Sequence, residues 1–238
     1  MDDLGNRWFI GEPIGVVYDY DMVGIWQESE IANGDHLNWD PQAAVGDVKL
    51  ADRNGDGKID NNDRHIKGQT APKWTGGLTN TISWKGITLN IFIQTVQGLR
   101  KSNSLLSTAG DEMGRRNITT EVGYWTAQNQ SNEFRSLSKT SNRHGYGFDQ
   151  NASYTRLKDV TLSYNFPASI CQKLKISDLM IYFSGRNLYT WTNWTGWDPE
   201  ARQIGRGSEA INEFGNSVSW EDNYPMTKSF TIGLNITF

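Results

Sequence analysis

The chain has 238 residues, enough for one large or two small domains, and 37% of them are hydrophobic, with a mean hydropathy of -0.61. No apolar run approaches the roughly 18 residues of a membrane helix; this excludes a helical membrane protein but not a β-barrel, whose alternating strands and polar loops average to a hydrophilic composition. A formal net charge of -4 without blocks of like charge excludes the electrostatic footprint of a nucleic-acid binder, and the lone Cys171 excludes a disulfide framework or a Cys-based zinc site.

The first residues, Met1-Asp2-Asp3-Leu4-Gly5-Asn6-Arg7, are acidic and polar and carry no signal peptide. Taken alone this argues for a cytoplasmic protein, and it fits equally a gene whose start is missing. Residues 14–27, rich in Val, Tyr and Trp, form a loose strand candidate, followed by a long connection over 28–75. Within that connection Asp52, Asn54, Asp56, Asp60 and Asp63 offer side-chain oxygens at the spacing of the twelve-residue calcium loop. Lys58 adds a backbone carbonyl and Gly57 permits the sharp turn. The pattern predicts a structural Ca2+ ion, which takes about six to eight oxygens. Asp63 in place of the usual Glu, the nearby cations Arg53 and Lys58, and the lack of flanking amphipathic helices make it a structural site and not a sensor. The competing reading is a solvated Asp/Asn/Gly turn with no ion.

Residues 78–84 and 87–94 alternate in character around the two-residue turn Lys85-Gly86. This register sets Trp84 opposite Ile87, Ile82 opposite Leu89 and Leu78 opposite Ile93, all on one face, with Phe92 alone breaking the polar character of the other. After a second long connection, 98–152, alternation resumes with Val160, Leu162, Tyr164 and Phe166. A short link over 167–177, holding about one helical turn, leads to Leu179, Ile181 and Phe183. Then Trp191, Trp194 and Trp197 recur at threes, which suits stacking on sugar rings, or equally anchoring at a membrane interface. Asp198 and Glu200 would make a glycosidase pair on paper, but an ordinary Asp-Pro-Glu turn explains them better. His36, His65 and His144 are scattered in polar loops, and no nucleophile elbow or phosphate loop is present. A non-enzyme is expected. After a third long stretch, 192–228, residues 230–238 alternate without error: Phe230, Ile232, Leu234, Ile236 and Phe238 against Thr231, Gly233, Asn235 and Thr237.

Running the strands alternately up and down puts every long connection on one side and the two short ones on the other. Outer-membrane barrels have this asymmetry, with short periplasmic turns and long extracellular loops, whereas compact soluble domains rarely carry such loops.

Several motifs then resemble one family. Gly46-Asp47-Val48-Lys49 with the Asp/Asn/Gly loop, Ala71-Pro72-Lys73-Trp74-Thr75-Gly76-Gly77-Leu78, residues 154–164, Ser184-Gly185-Arg186-Asn187-Leu188-Tyr189, Gly196-Trp197-Asp198-Pro199-Glu200 and Tyr224-Pro225-Met226 look like the C-terminal barrel region of SusC/RagA TonB-dependent outer-membrane transporters. Thr231, Gly233, Ile236 and Phe238 fit the barrel-assembly signal of such terminal strands. The resemblance implies an all-β fold in which residues 1–238 supply about six antiparallel strands of a transmembrane barrel of about 22 strands, without the plug domain. It also implies an outer-membrane location in a Gram-negative, Bacteroidetes-like cell, contact with membrane lipid, and import of glycans or peptides. The implied partners are a SusD-like lipoprotein and, through a missing N-terminal part, the TonB complex. An incomplete sheet leaves unpaired edges in lipid, so the chain reads as a fragment of a truncated or split frame that does not transport alone. The alternative is a secreted, calcium-stabilised β-sandwich that binds carbohydrate.

Overall fold

A computed structural model describes residues 1–103, 106, 122–138, 140–196, 198–200, 210–211, 217–218 and 226–238. The chain divides into two compact units, Met1–Ala71 with Arg100–Gln150, and Pro72–Leu99 with Asn151–Phe238.

The first unit is built from short paired strands: β1 (Val16–Asp19) with β4 (His65–Gln69), β2 (Met22–Ile25) with β3 (Val48–Leu50), and β7 (Arg100–Ser102) with β8 (Asp149–Asn151). Tyr20, Ile25, Val48, Leu50, Tyr146 and Phe148 form its core. Much of the two connections at 28–75 and 98–152 is therefore packed structure around its own hydrophobic centre. The strand expected over 14–27 is replaced by β1 and β2, which pair with β4 and β3 and not with the large sheet. The physical reason lies in its side chains: Val16, Asp19, Tyr20, Ile25 and Trp26 are all buried, so the segment has no clean apolar-against-polar division between two faces.

The second unit is one antiparallel sheet of five strands: β5 (Trp74–Trp84), β6 (Ile87–Gln97), β9 (Tyr154–Asn165), β10 (Asp178–Thr192) and β13 (Ser229–Thr237). Their spatial order, β13-β10-β9-β6-β5, is a meander of sequence neighbours. The predicted hairpin register holds residue for residue, with Trp84 opposite Ile87 and Leu78 opposite Ile93. The sheet thus has five described strands where about six were expected, because residues 14–27 do not join it. A helix, α2 (Ala168–Lys173), forms the short link between β9 and β10 and buries Cys171; α1 (Glu28–Asn33) belongs to the first unit. Two residue pairs at 210–211 and 217–218 make the small strands β11 and β12 within the third long connection.

Candidate functional site

The two faces of the five-stranded sheet differ in chemistry. On one, Leu78, Ile82, Ile87, Leu162, Ile181, Phe183, Leu234 and Ile236 are exposed, and Ile232 keeps 76% of its surface open. Exposed apolar area of this extent marks a surface meant for an apolar neighbour. Aromatic rings border it. Trp84 and the edge-on pair Tyr164 and Phe166, 4.9 Å apart, lie at the short-turn end, while Trp74 and the pair Tyr189 and Trp191, 4.8 Å apart, lie at the opposite end. At about 3.3 Å per residue, Trp74 and Trp84 are about 33 Å apart along β5, and a tilt of roughly 40° reduces this to about 25 Å, the height of a barrel's apolar band.

The opposite face is a ladder of small polar groups. Thr81 Oγ1 donates to Asn90 Oδ1 at 2.6 Å, Thr161 Oγ1 pairs with Ser184 Oγ at 3.0 Å, and Ser83 with Thr88 at 3.0 Å. Two aromatics interrupt it, each over a glycine. Phe92 lies so close to Gly77 that a Cβ there would meet its ring at 3.0 Å, and a Cβ on Gly233, opposite Tyr182 in the register, would overlap the Tyr182 ring. Of the residues assigned to the barrel-assembly signal, Thr231 and Gly233 therefore face the polar side, and Ile236 and Phe238 are exposed apolar groups. Gly233→Val is expected to cost about 1–3 kcal/mol through overpacking, and Tyr182→Ala should restore most of it. Unfolding midpoints of the two single variants and the double variant check this; additive losses would contradict it.

The strongest polar constellation is a clasp that the sequence pattern does not show. Arg156, 1% exposed, donates from Nη2 to Asp198 Oδ1 and from Nη1 to Glu200 Oε2, both at 2.7 Å, and from Nε to Thr190 Oγ1 at 2.9 Å. Lys158 Nζ holds both Glu200 oxygens at 2.9 and 3.0 Å. Asp198 also accepts the backbone amides of Glu200 at 2.8 Å and Met226 at 3.1 Å, so both ends of the third long connection are tied to β9. Asp198 and Glu200 thus serve as the acceptors of two cations.

Of the three tryptophans, Trp191 and Trp194 sit in different surroundings. Trp191 stands exposed beside Tyr189, and Trp194 packs on the buried Val96, Leu99, Ala152 and Tyr154; Trp197 lies outside the described residues.

In the first unit, the loop Asp52–Asp63 is organised by its own amides. Asp52 accepts from Gly55 at 2.7 Å and Gly57 at 2.8 Å, Asn54 Oδ1 from Asp56 at 3.0 Å, and buried Asp63 from Arg53 and Asp60, each at 2.8 Å. Lys58 Nζ lies 3.0 Å from Asp60 and 3.7 Å from Asp56. Among the described residues no three acidic, histidine or cysteine side chains are grouped to hold a metal ion. Asp63→Ala removes a buried carboxylate that accepts two amide hydrogen bonds and is expected to cost about 1–3 kcal/mol, measured as lost hydrogen-exchange protection at Arg53 and Asp60. Nearby, burial pushes the Asp19 carboxyl up despite amide bonds from Gly147 and Tyr20. Asp40 is also buried, yet the hydrogen bond to His144 and the charge of Arg143 bring its carboxyl below the ordinary value.

No family model matches the chain. Two relatives from Formosa agariphila align along nearly all of it. TonB-dependent receptor P3 is 31% identical over 229 residues, 96% of this chain and 22% of the relative. TonB-dependent receptor P26 is 30% identical over 248 residues, 100% of this chain and 24% of the relative. The chain thus spans about a quarter of the length of the curated relatives it matches. Among solved structures, the RagAB peptide importer in its 'open-open' state superposes with a TM-score of 0.65 at 24% identity, covering 97% of this chain and 23% of that one. A second structure, of the RagAB peptide transporter, gives a TM-score of 0.64 at 24% identity, covering 97% and 24%. These structural matches bear on the fold alone, which is that of a section of a β-barrel. A two-faced meander with long connections at one end, matched along nearly its whole length by such receptors, has the fold of a section of the outer-membrane β-barrel of SusC/RagA-like TonB-dependent receptors.

Proposed function

We propose that this chain is a section of barrel wall in an importer of oligomeric nutrients, glycans or peptides, powered through TonB and working with a SusD-like lipoprotein. The observation that carries this reading is the five-stranded sheet, with hydrocarbon-compatible side chains on one face and a hydrogen-bonded polar ladder on the other. That arrangement separates lipid from an aqueous interior. The secreted sandwich reading requires the apolar face to be covered by a second protein layer, and its side chains are exposed. The reading contains no catalytic step, since Asp198 and Glu200 are held by Arg156 and Lys158.

The peptide class is supported by the likeness to the RagAB peptide importer, and the glycan class by the Trp-rich sequence at 191–197. Uptake of labelled oligopeptides and oligosaccharides, compared between cells with the intact receptor gene and cells with it disrupted, tests the proposal. Loss of one uptake activity on disruption, together with its dependence on TonB, is the expected result. Unchanged uptake of both classes would overturn it.

For the loop Asp52–Asp63 the proposal is a structural calcium ion, supported by ligand spacing; it requires Lys58 to leave Asp56 and Asp60. Calorimetric titration of the intact receptor is expected to show Ca2+ uptake that strengthens in Lys58→Ala, and no heat of binding in either protein would refute it.

A further inference from the structure

The apolar face of the sheet is not uniform. Near its short-turn end it carries a shallow groove of about 420 Å³ lined by Ile87, Leu162, Tyr164, Ile181, Phe183 and Ile232, with no polar surface exposed inside. Three lysines gather at the same end. Lys85 occupies the β5–β6 turn two residues from Ile87, its Nζ 4.6 Å above the Trp84 ring. Lys173 and Lys175 lie in the link that joins the strand of Tyr164 to that of Ile181. All three are exposed, and among the described residues none forms an ion pair, whereas most other lysines on the polar and loop surfaces do. The two connections at this end, Lys85-Gly86 and 166–177, contain these three cations and no acid; the first acid is Asp178, where β10 begins.

An apolar slot at the same end of the sheet as three ammonium groups without ion pairs matches a molecule with an acyl chain and an anionic head. Short turns of an outer-membrane barrel face the periplasm, so this end meets the inner leaflet. From this geometry we infer that the groove is a binding site for an anionic glycerophospholipid of that leaflet, its acyl chain along Leu162, Ile181 and Ile232 and its phosphate on Lys85, Lys173 and Lys175. The inference rests on the lipid-facing assignment of the sheet. The occupant is a phospholipid and not a detached acyl chain because the cations lie in the turns at the aqueous end of the strands that line the slot, where a headgroup must be.

The test uses the intact receptor that contains this chain, in phosphatidylcholine nanodiscs doped with phosphatidylglycerol bearing a diazirine on one acyl chain. Adducts are mapped by peptide mass spectrometry. Labelling at Leu162, Ile181 and Ile232 should exceed that at Leu78 and Ile82, and Lys85→Gln, Lys173→Gln and Lys175→Gln combined should lower it by at least the about fivefold that one cation near an anionic surface is worth. A diazirine phosphatidylcholine should label all five positions evenly. Equal labelling by both probes, or labelling indifferent to the Gln changes, overturns the phospholipid site while leaving the barrel assignment standing. Absence of adducts at every one of these positions would overturn both.

Discussion

Replacing Arg156 with alanine should cost about 3–5 kcal/mol, because breaking a buried ion pair from one side leaves its partner charged and without compensation. Asp198 has 8% of its side chain open to solvent and Arg156 only 2%. Lys158 still reaches Glu200 in the variant, but among the described residues no other side chain holds Asp198, which keeps the amides of Glu200 and Met226. The loss should therefore appear first at those two amides as faster hydrogen exchange. Lys158→Ala provides the contrast: Lys158 and Glu200 are each about a quarter exposed, at 24% and 29%, and exposed pairs are worth about 0–1 kcal/mol. Equal losses in the two variants would show that the clasp is not organised around Arg156.

A single arginine placed on adjacent residues of β5 should have opposite consequences. Leu78 and Thr79 sit near the middle of the eleven-residue strand and point to opposite faces. Leu78→Arg puts a charge into hydrocarbon near the bilayer midplane, at a cost of about 2–4 kcal/mol, whereas Thr79→Arg adds it to the polar face at little cost. Folding titrations of the two receptors into lipid vesicles measure the difference. If Thr79→Arg proved as damaging as Leu78→Arg, the two faces would not differ in their surroundings.

The strands with strict alternation were legible because a period of two needs no tertiary information: residues 78–94 and 230–238 form the predicted strands, the hairpin in the predicted register. Residues 14–27 misled because Val, Tyr and Trp favour strands whether these pair in a membrane sheet or in a small packed unit. The clasp was hidden by a change of parity. Between Phe92 and Ile93 the β6–β9 register slips by one residue at Lys158, so the apolar face of β9 passes from Val160 to Leu157 and Arg156 turns to the polar side. Its signal in the sequence was the pair of cations two residues apart, Arg156 and Lys158, with a carboxylate pair of the same spacing at Asp198 and Glu200. The pairing of Tyr182 with Gly233 was equally silent, since both fit alternation and only the register sets them opposite.

The claim on which the account depends is that Ile232 and Leu234 face acyl chains while Thr231 and Asn235 do not. Spin labels on single cysteines at these four positions, in a Cys171→Ala background of the reconstituted receptor, measure it through collisions with oxygen and with a water-soluble nickel chelate. Labels at 232 and 234 should be reached by oxygen and shielded from nickel, and labels at 231 and 235 should show less oxygen contact. Nickel access at 232 and 234 equal to that of a label in water would contradict the account.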